Sequence, residues 1–313
     1  ARRAEGTVCG LGGALFLEPS GQGWESACAH LAEDGTIAVA TGTTCQGQGR
    51  RTVCRTVVAE ALGVPHQAVT VLSTDTQHLQ SGIGALASRG TPIGLTALLK
   101  AVDGLKASLL SAAARRLNAS PDEIVLTDTG LALAADRSRH IDRAALFGDT
   151  EAITLTHTAE GETWGAGAVV AAVVVDTAIG SLTIEEIVAV DDAGRLIDPS
   201  LAHGQVVGGA VQGLGEAMME RIVYDDDGQL VTGSFMDYAV PRADDVPPIH
   251  SHTLETPSPL TPLGAKGIGE AGTIGVPAAI LNATLDALRP LGVRSLDFPL
   301  TPHRVWQALR TQP

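Results

Sequence analysis

Three short runs in this sequence join glycine to side chains that bind anions, donate hydrogen bonds or move protons. The first is Gln46-Gly47-Gln48-Gly49-Arg50-Arg51-Thr52. Gly47 and Gly49 let the backbone approach a ligand closely, and a turn that opens a helix points N–H groups and a positive dipole end at a phosphate or another electron-rich edge. Gln48 adds an amide that donates and accepts at once. A glycine-rich turn without a ligand accounts for the same residues, because short glycine motifs are weakly specific.

The second run, Ala87-Ser88-Arg89-Gly90-Thr91-Pro92, also precedes a helical pattern. Ser88, Thr91 and the Arg89 guanidinium stand where an anion would sit; alternatively, Ser88 or Thr91 is a helix cap. The third is Gly264-Ala265-Lys266-Gly267-Ile268-Gly269-Glu270-Ala271-Gly272-Thr273. Its alternate glycines again invite close approach, here beside Lys266 and Glu270. Glu270 is either a general base or a carboxylate held by the dipole of the helix that follows.

Other chemistries find less support. His203, beside Gly204-Gln205, is a lone histidine near a helix start. The cysteines, at 9, 28, 45 and 54, form no Cys-x-x-Cys pair, and no His/Cys/Asp set has metal-ligand spacing, so a working metal would have to be held by a cofactor. There is no Gly-x-Ser-x-Gly elbow for serine hydrolysis. A formal charge of -14, from 21 basic and 35 acidic residues, repels nucleic acid.

The elements that must position these loops follow from hydrophobic period. Thr36–Thr41 and Val69–Leu72 predict short strands, and Val53, Val57, Val58, Ala61 and Leu62 predict a helix stopped by Gly63. A second helix is expected over 91–117, with Pro92 in its first turn, and a hairpin over 121–133. The polar stretch 136–161 shows no pattern and suggests a division near residue 160, into lobes 1–160 and 161–313. Strands at 169–175 and 182–190 open the second lobe. Val206, Val207, Ala210, Val211, Leu214 and Ala217 mark a long helix, and another spans about 275–288 with Pro277 in its first turn. The fold class is α+β, or mixed α/β.

With 44% hydrophobic residues but 3% aromatic, and 36 glycines, the interior must be built of small aliphatics in close backbone contact. The longest apolar run, Trp164–Val175, is too short to span a bilayer and predicts a buried strand. No membrane span is expected. The first residues lack a signal-peptide pattern, and the expectation is a reduced, cytoplasmic protein.

Together and in this order, the loops resemble the molybdopterin-binding subunit of the xanthine dehydrogenase, aldehyde oxidase and carbon monoxide dehydrogenase family. Gly47-Gln48-Gly49-Arg50-Arg51-Thr52 is similar to the family's Gly-Gln-Gly-x-x-Thr loop, whose glutamine lies against the pterin. Ser88-Arg89-Gly90-Thr91 resembles a Ser-Arg-x-Thr turn that holds the phosphates of the cytosine dinucleotide form of the cofactor. Ala87 departs from the glycine often found before it. Gly204-Gln205 with Gly208-Gly209 resembles the Gly-Gln-x-x-Gly helix, giving Gln205 a pterin contact, and Lys266-Gly267-Ile268-Gly269-Glu270 matches the segment carrying the active-site base.

The resemblance implies a molybdenum hydroxylase acting on an electron-poor carbon of a purine, N-heterocycle or aldehyde with oxygen from water. Glu270 would be its base, and electrons would leave through [2Fe-2S] and FAD centres in partner subunits. It covers only the second half of a usual subunit, which implies docking onto a separate large molybdopterin-binding chain. A non-catalytic structural or cofactor-binding subunit of such a complex is the alternative.

Overall fold

The computed structural model describes residues 6–72 and 75–311. It is a mixed α/β structure built around three sheets. The strands are β1 (Thr7–Ser20), β2 (Trp24–Leu31), β3 (Ile37–Thr41), β4 (Val69–Val71), β5 (Ile124–Leu126), β6 (Gly130–Leu133), β7 (His140–Asp142), β8 (Ile153–Thr158), β9 (Thr163–Asp176), β10 (Leu182–Asp192) and β11 (Ile249–Leu254), and the first sheet has the order β4-β3-β2-β8. The second has the order β1-β9-β10-β11, and β5-β6-β7 form a small third sheet.

Helices α1 (Arg50–Leu62) and α2 (Thr96–Leu117) cover the first sheet; α4 (Ala271–Leu288) covers the second, with α3 (Pro199–Met218) packed on α4; α5 (Pro302–Arg310) is the last helix. α1 stops where Gly63 takes a left-handed conformation, φ 64°, which glycine adopts without steric cost. α3 starts behind Asp198, whose carboxylate accepts the N–H groups of Ser200 and Leu201, with Pro199 in the first turn. α2 buries Leu98, Ala101, Val102, Leu105 and Leu109 at helical spacing. It is preceded by a π-helical turn, Gly90–Leu95, rather than an ordinary first turn.

A change of sheet does occur near residue 160, between β8 and β9, but β1 pairs along its whole length with β9, from Thr7 opposite Asp176 to Ser20 opposite Thr163. The N-terminal strand therefore belongs to the second sheet. The stretch 136–161 is not patternless: β8 alternates half-buried and exposed residues and pairs with β2. Its inward residues are Ile153, Leu155 and His157, a signal diluted by threonines.

β1 was not legible as a strand because its inward face is Gly10, Gly12, Ala14, Phe16, Glu18 and Ser20. That face packs on α4. A Cβ at Gly12 would lie 2.0 Å from the Ala283 nitrogen, and one at Gly10 2.0 Å from the Ala283 oxygen, so strand and helix backbones nearly touch and the low aromatic content has its reason. The outward face of this edge strand leaves Leu11, Leu15 and Leu17 exposed, beside Trp164 and Val170 of β9.

α4 begins earlier than its apolar period suggests, so Pro277 is interior to it and buried rather than in its first turn. Ala271–Leu291 is long and apolar enough to cross a membrane, with mean hydropathy 1.3, but most of it is buried against β1, β9 and α3.

Candidate active site

The three glycine-bearing loops and the start of α3 border one cavity of about 290 Å³. Its walls include Gln48, Ser88, Arg89, Thr91, Gln205, Lys266, Gly267, Gly269 and Glu270, joined by Gln46 and Gly90. A smaller cavity shares Gln48, Thr91, Gln205 and Lys266 and extends the cleft toward Arg195. Gly47 and Gly49 lie outside both linings but shape the loop: their φ values are 100° and 78°, and Gly49 caps α1. His203 is exposed and borders neither cavity.

Gln48 is folded back on its own loop. Its Oε1 accepts the Gln46 N–H at 2.7 Å, and its Nε2 donates to the Thr44 carbonyl at 3.0 Å. Ala87 and Ser88 both have left-handed backbones, φ 46° and 50°. At Ala87, where the sequence departs from the glycine that the resemblance led one to expect, the backbone keeps a glycine-like conformation at some strain, a pattern that clusters at ligand sites. The turn places Gly90 and Thr91, the first residues of the π-helical segment, on the cavity wall; N–H groups at the start of a helix have no partner within it.

Arg89 does not face the cavity with its charge. Its guanidinium is buried and paired with Glu25 at 2.8 Å, and it also donates to the carbonyls of Gln22, Trp24 and Gly84. Glu25 in turn accepts the N–H groups of Ser26, Ile83 and Gly84. The pair locks the 84–89 turn onto β2, so Arg89 shapes the turn that borders the cavity and its charge is spent within the fold.

Lys266 also points elsewhere, to Asp192 at 3.1 Å. Burial opposes ionisation of Asp192, yet the Gly194 and Thr256 N–H groups and Lys266 outweigh it and hold that carboxyl below its usual range. Two serines carry the glutamate loop: Gly267 N–H donates to Ser20 Oγ at 2.9 Å and Glu270 N–H to Ser88 Oγ at 3.1 Å. Glu270 itself caps α4 and is exposed. The glycines on either side have no side chains with which to cover it.

Below this loop lie two carboxylates that the sequence reading missed. Glu18 is 3% exposed and Asp191 2%, and none of their oxygens has a hydrogen-bond partner among the described residues. Burial pushes Glu18 up to about 7, with the Ser88 hydroxyl opposing and the Glu270 and Asp191 carboxylates adding to the shift. Burial alone pushes Asp191 up to about 6. The only signal for Glu18 was an acidic residue on the inward side of an alternating strand.

This shift has a consequence for stability. A carboxyl whose folded pKa is raised holds its proton more tightly in the native state, so stability is full below the unfolded pKa of 4.5 and falls as pH rises through about 7. Glu18→Gln, which cannot ionise, should therefore gain on the wild type between these limits, by roughly 3 kcal/mol above pH 7. Denaturant unfolding at pH 5 and pH 8 measures this; equal differences at both would refute it.

The molybdopterin cofactor-binding domain, as a family model, matches residues 1–247. The chain belongs to this family of molybdenum hydroxylase subunits. Glu270 lies beyond the matched segment, but curated relatives align over nearly the whole chain. It is 33% identical to the nicotine 6-hydroxylase large subunit of Paenarthrobacter nicotinovorans over 99% of this chain and 41% of that protein. It is 34% identical to the xanthine dehydrogenase molybdenum-binding subunit of Escherichia coli O157:H7, over 95% of this chain and 42% of that protein.

Among solved structures, quinoline 2-oxidoreductase from Pseudomonas putida 86 superposes with a TM-score of 0.89 at 32% identity, over 99% of this chain and 43% of that one. The chain thus spans about two fifths of these relatives. The lining suits such a cofactor: Gln205, Ser88 and Thr91 bring an amide and hydroxyls to the wall, and a Cβ at Gly90 would meet no atom within 4 Å, so a side chain there would occupy space that a ligand can fill.

Proposed function

We propose that this chain supplies the base-bearing half of a molybdenum hydroxylase active site. The observation that carries this is the convergence of the Gln48, Ser88, Gln205 and Glu270 segments, far apart in sequence, on one cavity. Gln48 and Gln205 would hold the pterin by their amides once Gln48 turns from its own loop. The Ser88–Thr91 turn, with its hydroxyls and helix-start N–H groups, would hold the phosphates of a cytosine dinucleotide form.

When bound, the cofactor would supply two-electron oxidation of the substrate with oxygen derived from water. Glu270 would act as the base, its carboxylate taking up a proton at the cavity mouth. Its backbone is fixed by Ser88 and its side chain is free to reach the cavity mouth. The substrate is an electron-poor carbon of an N-heterocycle, purine or aldehyde. Nicotine and quinoline, named for two relatives, favour the first class.

The rest of the subunit, whether a separate large molybdopterin-binding chain or a continuation of this one, would close over the cavity. The exposed Leu11, Leu15 and Leu17 face of β1 is the surface offered to it, together with Phe235 and Met236, 85% and 92% exposed. Partner subunits with [2Fe-2S] and FAD would carry the electrons away.

The test is native isolation followed by molybdenum analysis and acid hydrolysis. One molybdenum and one cytidine monophosphate per chain are expected. Molybdenum without cytidine monophosphate would remove the dinucleotide assignment, and a metal-free complex from cells that make the cofactor would leave the non-catalytic alternative.

A further inference from the structure

The inward alternation of β1 runs along α4 toward its N-terminus: Gly10 and Gly12 meet Ala283, and Phe16 meets Gly275. Two residues further on, Glu18 comes under the start of the helix, beside Ser88 and Glu270. It is almost wholly buried, its oxygens have no hydrogen-bond partner among the described residues, and the nearby cations are engaged elsewhere, Arg89 with Glu25 and Lys266 with Asp192. The groups facing it are the Ser88 hydroxyl and the carboxylates of Glu270 and Asp191.

A buried carboxyl with no cation beside it persists most cheaply as the neutral acid, and an acid beside a carboxylate is a hydrogen-bond donor waiting for its acceptor. We propose that Glu18 is a positioning residue for Glu270: as a neutral acid it donates a hydrogen bond to the Glu270 carboxylate and holds it ionised and turned to the cavity. A rotation of the exposed Glu270 side chain closes the contact. When Glu18 loses its proton the bond becomes a repulsion, and Glu270 is driven outward. The inference rests on the assignment of Glu270 as base.

The test uses the complete, cofactor-loaded complex and three Glu18 forms. In the wild type, kcat/KM should fall as pH rises from 6.5 to 8.5. Glu18→Gln keeps a neutral donor and should flatten that limb while retaining turnover; Glu18→Leu has no donor and should lower kcat about two- to tenfold at pH 6.5, the worth of one hydrogen bond, and should show no deficit at pH 8.5, where the wild type has lost the donor as well. Infrared difference spectra over the same range, read independently of turnover, should show loss of a protonated carboxyl band in the wild type and in Glu270→Gln. That band should be missing in Glu18→Gln, with Asp191→Asn marking the separate Asp191 signal.

An unchanged alkaline limb in Glu18→Gln, or a band that survives in it, overturns the proposal. If Glu270→Gln keeps normal turnover, the assignment of the base itself fails, and the infrared result still reports whether Glu18 is the proton holder.

Discussion

Glu270→Gln lowers turnover by about two or more orders of magnitude while the complex keeps its molybdenum. The size is that of losing a general base. The side chain is exposed, the backbone hydrogen bond from Glu270 N–H to Ser88 does not involve it, and a glutamine keeps an oxygen that can accept a hydrogen bond while losing the basic carboxylate. Unfolding free energy should change by no more than about 1 kcal/mol, the scale of one hydrogen bond. The measurement is kcat and kcat/KM normalised to metal content, beside a denaturation curve. Turnover within a few-fold of the wild type would mean that Glu270 is only the cap of α4.

Glu25→Ala destabilises the protein by about 3–5 kcal/mol, the range for removing one member of a buried ion pair. Glu25 is fully buried and its partner Arg89 nearly so. Truncation strands the guanidinium and three backbone N–H groups at once, those of Ser26, Ile83 and Gly84. The loss should reach the site, because the 84–89 turn carries Ser88 and opens onto the cavity. Molybdenum retention should fall together with stability. Glu25→Gln, which keeps the shape and part of the bonding, should cost less. A loss below 1 kcal/mol in the alanine variant would show that Arg89 finds other partners.

The contrast between Arg89 and Gln205 shows what was legible in the sequence. Gln205 and the glycine loops could be placed because their meaning is local: turn, helix start, amide beside glycine. Arg89 was expected to face an anion, and its true partner lies 64 residues away on β2, a pairing that no local pattern displays. Glu18 and Asp191 stayed hidden for the same reason.

Helices α1, α2 and α3 follow from apolar period, since α1 and α2 cover a sheet with one face and α3 buries one face against α4. β1 escaped because α4 lies so close that the inward positions at 10, 12 and 14 are glycine or alanine, where a strand pattern looks for large residues. Pro277 was misplaced because α4 begins at residues 271 to 273, among glycine and threonine, before its apolar period is visible.

The measurement that bears most directly on the central claim is the structure of the complete, cofactor-loaded complex. The account predicts the pterin against Gln48 and Gln205, phosphates on the Ser88–Thr91 turn, and the Glu270 carboxylate at roughly 3 Å, hydrogen-bond distance, from the reacting oxygen. A cofactor bound away from the 290 Å³ cavity, or a Glu270 carboxylate turned from it with another base in reach, would contradict it.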